Sequence, residues 1–367
     1  APEFVLREDY TKYQGRIEQY TSRGFRVLVF GSYDGEPDGK PLTGTVTPLG
    51  YVLLLNKVRE EAPATFKYFA DQGVAIKVIS GDNPITVSET AKQAGIEGAE
   101  NYVDAGTLKT EEDIALAVSK YTVFGRVIPE QKRQFVQALK KQGMTVAMTG
   151  DGVNDGPALK RADIGVAMGI TGTEVAKEAA DMILADDNFA TIVKAVANGR
   201  NVYRNIKNAI LFLLSGNMAG IMVVLITSLL GLPIPFTAVH LLFMNLLTDS
   251  LPAIAIGLER ADSSLLMEKP RSSKQNILSK DFITNVLAQG GLIAITTLVA
   301  YSVGLSISRM FATTFAFETL TIARLFHGFN CRGKFSIFKL KLNTNMYSIG
   351  AFVLGILFIA LVSFLSI

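Results

Sequence analysis

Cysteine occurs once in 367 residues, at Cys331, which excludes an internal disulfide framework and any four-cysteine metal site. Charge is missing over three long stretches: Asn208–Val239, Phe282–Ser308 and Leu342–Ile367 hold no Lys, Arg, Asp or Glu. Each exceeds the ~20 apolar residues needed to cross a bilayer, and runs this long and this repeated argue against buried core helices. The excess of Lys and Arg over Asp and Glu is slight, 36 against 33, and unevenly placed, so no nucleic-acid partner is expected. No signal-like segment precedes the charged region, and membrane targeting is expected from the hydrophobic helices themselves.

Residues 1–207 mix charged and apolar positions as a soluble α/β protein does. An amphipathic helix over Tyr10–Ser22 leads into an alternating run at Arg26–Phe30; Gly50–Leu55 reads as a buried strand, Val74–Ile79 as a second, and Tyr102–Val103, Val123–Phe124, Thr145–Met148 and Ile164–Ala167 as short strands. Helical patterns at 60–72, 84–95, 111–119, 130–142 and 156–161 separate the later ones, which predicts a doubly wound parallel sheet. The Gly/Pro/Asp cluster Asp34–Pro41 predicts a turn or hairpin connection. A helix starting near Thr191 should run without interruption into the first uncharged stretch, its membrane part over 200–229. Further membrane helices are expected at 238–257, 282–305, 314–330 and 346–366. Arg260, Lys269, Arg271, Lys274 and Lys280 gather in one connection, and Arg332, Lys334, Lys339 and Lys341 in another. The positive-inside bias places those loops and the α/β part on the cytoplasmic side of a cell membrane.

The most specific stretch is Thr149-Gly150-Asp151-Gly152-Val153-Asn154-Asp155, which follows the apolar run Met144–Met148 and continues into Pro157-Ala158-Leu159-Lys160. A buried strand would end in a turn presenting two carboxylates and an amide, with glycines that let a ligand approach the backbone. Carboxylates at the carboxyl end of a parallel strand suit Mg²⁺ held against a phosphate. Ser80-Gly81-Asp82 also follows a strand, and its hydroxyl and amides could bind a phosphoryl oxygen, although the triplet alone reads equally well as a turn. Lys132 could neutralise charge on a transferring group, although a lone helical lysine is ordinarily solvated.

Together and in this order, these segments resemble the phosphorylation domain of P-type ATPases: an α/β, haloacid-dehalogenase-like (Rossmann-like) domain followed by an α-helical transmembrane bundle. The resemblance implies ATP and Mg²⁺ as cofactors. It implies that Ser80 (Thr in most relatives), Gly81 and Lys132 contact an aspartyl phosphate, that Asp151 ligates Mg²⁺, and that Asn154 and Asp155 organise that site. Asp82 and Arg126 would contact nucleotide, and Arg26, in Gly24-Phe25-Arg26-Val27, matches the family's nucleotide-domain arginine. Ala1-Pro2-Glu3 resembles the end of a Lys-Gly-Ala-Pro-Glu nucleotide motif. Residues 1–45 then read as part of the nucleotide-binding domain, 46–190 as the phosphorylation domain and 191–367 as the membrane bundle. Two departures stand out. Asn56-Lys57-Val58-Arg59 occupies the place of Asp-Pro-Pro-Arg, and the nucleophile motif Asp-Lys-Thr-Gly is absent, Thr43-Gly44-Thr45 following Pro41-Leu42 instead. The chain is therefore expected to be the C-terminal portion of a pump, inactive by itself, with the N-terminal part of the same pump as its partner.

Asp249 lies within a helix otherwise built from Leu, Met and Ala, where a charge costs a few kcal/mol. In a regular helix Asn245, Thr248 and Asp249 stand at i, i+3 and i+4, on one face. Their hard oxygen donors suit Ca²⁺; a polar cluster holding helices together is the plainer alternative. Leu241–Ala253 resembles the ion-binding helix of calcium-transporting P-type ATPases, with Ser250 where relatives have Gly, and Asn217 matches an ion-site asparagine. Gly220 stands where two-site calcium pumps carry one glutamate and Arg324 where they carry another. A fixed guanidinium would repel a second cation, so one Ca²⁺ per ATP is expected, with Arg324 as a built-in counter-ion; Glu318, six positions earlier, either balances Arg324 through another partner or snorkels to an interface. His240 and His327 read as interfacial or packed polar residues. The reading is an ATP-driven cation pump, with Ca²⁺ favoured and Mn²⁺, Mg²⁺, Na⁺ and H⁺ open. The missing nucleophile opposes a membrane-anchored haloacid-dehalogenase-like phosphatase, and intact Asp151, Asn154, Asp155 and Asp249 oppose a non-catalytic scaffold.

Overall fold

The computed structural model describes residues 2–35, 42–55, 57–272, 275–333 and 344–365. Ala1, most of the turn expected over Asp34–Pro41, Asn56, Lys274, Lys334, Lys339 and Lys341 lie outside the described residues. Two compact units are present, Ala1–Lys194 and Ala195–Ile367.

The first unit begins with α1 (Pro2–Leu6) and α2 (Tyr10–Thr21), which pack on an antiparallel pair, β1 (Arg26–Tyr33) and β2 (Val46–Leu54), through Leu6, Ile17 and Val27. The pair runs in register from Arg26↔Leu54 to Tyr33↔Val46, with an irregularity at Phe30/Gly31. Gly31 is required there, because a Cβ would lie 2.8 Å from the Thr47 carbonyl oxygen. The run expected as a buried strand over Gly50–Leu55 therefore belongs to this hairpin, and its Val52 and Leu54 are exposed. An apolar run of that length does not by itself tell a buried parallel strand from one half of a hairpin.

The remainder alternates strand and helix: α3 (Ala62–Asp71), β3 (Val78–Ile79), α4 (Pro84–Gln93), β4 (Tyr102–Asp104), α5 (Glu111–Lys120), β5 (Val123–Gly125), α6 (Pro129–Lys141), β6 (Ala147–Gly150), α7 (Gly156–Arg161), β7 (Ile164–Met168), α8 (Glu174–Ala179) and β8 (Met182–Leu184). All pairings here are parallel, in two three-stranded sheets ordered β3-β5-β4 and β6-β7-β8. Asn83 starts α4 by accepting from the Ile85 amide at 2.9 Å, with Pro84 at the first helical position. Thr110 and Asp113 form a reciprocal cap on α5. Strand β6 begins two residues later than Thr145, because the Val146 peptide is taken up by Asp163: its N–H donates to Asp163 Oδ2 and its carbonyl accepts from the Asp163 N–H, each at 2.9 Å. Under the first sheet Phe124 and Phe135 pack with ring centroids 4.6 Å apart, and Leu159, Ala158 and Val136 fill the second core. Each fully buried large apolar side chain contributes ~1.5–3 kcal/mol.

The second unit is helical: the long helix α9 (Thr191–Leu229), α10 (Ala238–Phe243), a π-helical turn (Met244–Thr248), α11 (Ser250–Gly257), α12 (Lys280–Leu305), α13 (Arg309–Asn330) and α14 (Met346–Leu365). Among the described residues four helical spans are long and apolar enough to cross a membrane: Thr191–Leu229, Ala238–Gly257, Lys280–Leu305 and Met346–Phe364. Helix α13 is not one of them, since Arg309, Glu318 and Arg324 reduce its apolarity. It begins five residues before the expected Thr314, where Ser308 caps it by accepting from the Phe311 amide. Large apolar side chains such as Leu229, Val239, Leu292 and Leu357 are exposed, as lipid-facing positions require. The inner faces close tightly; a Cβ on Gly304 of α12 would lie 2.6 Å from the Phe311 carbonyl oxygen of α13.

Asp187, after β8, has φ +49° and accepts from the Ile170 and Thr171 amides at 2.8 Å and the Thr171 hydroxyl at 2.7 Å. These bonds, the Ile170 amide foremost, lower its carboxyl to about 2. The folded value lies below the unfolded one, so the contribution is complete above pH ~4 and is lost as pH falls through the folded value. Hydrogen-exchange protection of the Ile170 and Thr171 amides should therefore fall between pH ~4 and ~2, and Asp187→Ala should remove both the protection and its pH dependence.

Candidate functional site

In the first unit Ser80–Asp82, Arg126 and Asp151–Asp155 sit at the carboxyl ends of β3, β5 and β6, while Lys132 lies in α6 and Arg26 opens β1. The Ser80–Asp82 turn is stitched to the chain leaving β5: the Ser80 amide donates to Phe124 O at 2.9 Å, Ser80 O accepts from Val127 N at 3.0 Å, and Asp82 O accepts from Arg126 N at 2.8 Å. Ser80 Oγ accepts from the Asp82 amide at 3.2 Å, which fixes the hydroxyl at the turn. Gly81 is exposed, and a Cβ there would reach only Val127 O, at 3.7 Å; its backbone is open to a ligand.

The turn after β6 assigns its carboxylates different tasks. Asp155 is buried, accepts from Lys132 Nζ at 2.7 Å and from the Gly152 amide at 3.1 Å. Gly150 permits this, since a Cβ on it would lie 2.5 Å from Asp155 Cβ. Asp151 and Asn154 are exposed, and the Asp151 carboxylate has no protein partner among the described residues. Mg²⁺ takes one or two carboxylates and completes its shell with water and phosphate oxygens. One free carboxylate beside one already neutralised by a lysine fits that demand. Lys132 is thus brought to Asp155, not left as an unpaired helical charge.

The predicted nucleotide contacts are paired within the protein. Arg26 Nη2 lies 3.4 Å from Asp82 Oδ1, with both side chains partly exposed. Arg126, at φ +52°, donates to Asp104 Oδ2 at 2.6 Å and Glu3 Oε1 at 2.5 Å. It lines a cleft of about 450 Å³ with Tyr10, Asn83, Tyr102 and Thr107. Glu3 and Asp104 were not legible as its partners, because they lie 123 and 22 residues away in sequence.

In the second unit Asp249 and Arg324 are buried to 2% and 3% exposure. Arg324 Nη2 donates to Asp249 Oδ2 and, at 3.0 Å, to Asn217 Oδ1. Asp249 Oδ1 and Arg324 Nε are buried without a hydrogen-bond partner. Asn217 and Asp249 are therefore joined through the guanidinium. Thr248 is buried beside Asp249, its hydroxyl donating to Met244 O at 3.0 Å. Asn245 departs from the expected common face and is exposed. The cause is the π-helical turn, in which the Asp249 amide donates to Met244 O, five residues back, at 2.9 Å, so the i, i+3, i+4 arithmetic of a regular helix no longer holds.

Other polar groups find structural partners. Glu318 accepts from Ser363 Oγ at 2.6 Å and His240 stacks on Phe317, while His327 Nε2 lies 2.7 Å from Ser215 Oγ and 3.3 Å from Cys331 Sγ. Arg332, counted above among the loop charges, is instead buried: it donates to both Glu259 carboxylate oxygens, at 2.7 and 3.1 Å, and Asn345 Nδ2 donates to Glu259 Oε2 at 2.9 Å.

Comparison with known proteins accounts for both units. A family model for the C-terminus of cation-transporting ATPases matches residues 233–367, and one for haloacid dehalogenase-like hydrolases matches residues 2–163. The chain belongs to the P-type cation-transporting ATPases. It is 39% identical over 323 residues to a calcium-transporting ATPase of Bacillus subtilis, covering 86% of this chain and 36% of that protein. A calcium-transporting ATPase of Listeria monocytogenes is 37% identical over 358 residues, 95% of this chain and 41% of the relative. The calcium-transporting ATPase type 2C member 1 of Bos taurus is 35% identical over 339 residues, 91% and 35% of the two chains. This P-type ATPase chain thus spans between a third and under half of the length of these relatives.

The Lys132–Asp155 pair gives a direct test of the ATPase-like turn. Lys132→Met leaves Asp155 buried and unpaired, and breaking a buried pair costs ~3–5 kcal/mol. Lys132→Met should therefore lower hydrogen-exchange protection across the β6-β7-β8 sheet, and adding Asp155→Asn should restore most of it.

Proposed function

We propose that this chain forms the phosphorylation domain and ion path of an ATP-driven pump that exports Ca²⁺ across the cell membrane, one ion per ATP, through an aspartyl-phosphate intermediate. The observation that carries the reading is the Asp249 carboxylate: buried in an apolar helix, held at one oxygen by Arg324, which also donates to Asn217, and unpartnered at the other. A carboxylate kept at such a depth is a functional feature by default, and its free oxygen is a hard donor suited to Ca²⁺. The relatives' description as calcium-transporting ATPases supports the same cargo.

In this reading Asp249, Asn217 and Thr248 serve the cargo ion, while Asn245, exposed beyond the π turn, does not join them. Asp151 holds Mg²⁺ while Asn154 and Asp155 fix its turn; when bound, the ion supplies positive charge against phosphoryl oxygens. Ser80 Oγ and the Gly81 backbone receive a phosphoryl oxygen, Lys132 balances charge beside Asp155, and Arg26, Asp82 and Arg126 face the nucleotide. The bilayer surrounds the second unit, and the basic residues of the 258–280 connection keep the α/β unit cytoplasmic. The further length present in the relatives supplies the phosphorylated aspartate. One Ca²⁺ follows from charge: Asp249 is already balanced by Arg324, and a second divalent ion would meet the guanidinium with no carboxylate at Gly220.

Two substitutions in the full-length protein test the two units. Asp151→Ala should abolish phosphorylation from ATP at normal expression. Asp249→Asn should abolish Ca²⁺-dependent phosphorylation from ATP yet leave phosphorylation from inorganic phosphate, which uses the ion-free form; unchanged Ca²⁺ activation would refute the cargo site. Equilibrium ⁴⁵Ca binding should give a single ion per phosphorylatable site, and two ions with cooperative binding would show the charge argument to be wrong.

A further inference from the structure

Three successive residues of α9 meet α13 in three different ways. Ser215 Oγ lies 2.7 Å from His327 Nε2, and Asn217 Oδ1 accepts from Arg324 Nη2 at 3.0 Å. Between them Gly216 has no side chain, and a Cβ built on it would lie 2.4 Å from Arg324 Nε and 2.9 Å from Arg324 Cζ and Nη2. Those are its three nearest atoms, and none belongs to the backbone. Gly290 of α12 is a different case, since its Cβ would strike the Ser215 carbonyl oxygen at 2.8 Å, the mark of close helix packing. Gly220, one turn beyond Gly216, would meet only Leu320 Cδ2, at 3.9 Å. Gly216 is thus the one of these three positions whose space is taken by the guanidinium.

We infer that Gly216 is the positioning residue that admits the Arg324 guanidinium to the ion path, and thereby sets how many cations the path accepts. The inference rests on the reading of Arg324 as the group that replaces a second ion. A methyl at 216 cannot share the volume with Nε and Cζ. Arg324 is 3% exposed and tethered on α13, so the displaced group stays near Asp249 and competes with the cargo for the carboxylate. Helix propensity predicts the opposite sign, because Gly→Ala in a helix interior is favourable in itself. A loss of function in Gly216→Ala therefore does not come from the helix.

The test uses the full-length protein with Gly216→Ala, Gly220→Ala, Arg324→Ala and the Gly216→Ala/Arg324→Ala pair. The readouts are ⁴⁵Ca bound per site, the half-saturating Ca²⁺ concentration, and phosphorylation from inorganic phosphate without Ca²⁺ as a control of folding. Gly216→Ala should raise the half-saturating concentration about tenfold or more, the scale of one charge-assisted hydrogen bond, and Gly220→Ala should stay within about twofold. The pair should match Arg324→Ala alone, since the clash disappears with the guanidinium. Wild-type affinity in Gly216→Ala, or an equal loss in both backgrounds, overturns the inference. Should Gly216→Ala fail the folding control, recovery on adding Arg324→Ala supports it and continued failure overturns it. Arg324→Ala reports separately on the underlying reading: a protein that still binds one Ca²⁺ at wild-type affinity removes Arg324 from ion counting, whatever Gly216 does.

Discussion

The membrane unit is organised around a carboxylate and a guanidinium that are buried together. Desolvating either charge alone is costly, and removing one partner would strand the other. The pair is therefore tolerable only where geometry keeps the two groups together, and several otherwise unrelated features serve that end. The π-helical turn at Met244–Thr248 turns Asp249 inward while Asn245 faces out. Asn217 takes a second hydrogen bond from the same guanidinium nitrogen, and Gly216 leaves the space in which it lies. Even so, the pair is incompletely satisfied, with Asp249 Oδ1 and Arg324 Nε unpartnered. A purely structural ion pair gains from complete satisfaction; one that leaves a carboxylate oxygen free retains capacity for a ligand.

A second buried pair, Glu259 with Arg332, is built differently. Arg332 uses two nitrogens on the carboxylate and one of them also on the Thr344 hydroxyl, while Asn345 adds a further donor to Glu259. Asn205 Nδ2 donates to the Glu259 carbonyl at 2.7 Å. This network ties Asn205, within α9, to the chain leaving α11 and α13 and to the start of α14. The contrast lies in the carboxylates: both Glu259 oxygens accept hydrogen bonds, whereas Asp249 Oδ1 accepts none, although Arg332 Nη1, like Arg324 Nε, is buried without a partner.

The α/β unit applies the same division within one turn. Asp155 and Asp151 lie four residues apart, yet Asp155 is buried against Lys132 and the Gly152 amide while Asp151 stays exposed and unpartnered. A buried, paired carboxylate holds the turn rigid, and a free one can bind a cation. Gly150 underlies both, because any side chain at that position would displace Asp155.

Much of this was legible from residue order. Periodicity located the parallel strands and four long apolar helices to within a few residues, since strand and helix register follow directly from which positions are apolar, whereas α13 is less apolar than a spanning helix. The Thr149–Asp155 turn was legible because its glycines and acids are contiguous, and Asp249 because a charge in an apolar helix has few permitted explanations. What sequence could not decide were pairings across large separations. Arg126 reaches Glu3, Arg324 reaches Asp249 and Asn217, and Arg332 leaves its loop for Glu259. The π turn that parts Asn245 from Asp249 was equally hidden, because one extra residue in a turn leaves no mark in composition. Local chemistry is written in neighbouring residues, so the sequence by itself determined most of the elements and the candidate groups. Which charges meet, and which oxygen remains free, depends on packing between segments distant in the chain, and only the tertiary structure decided it.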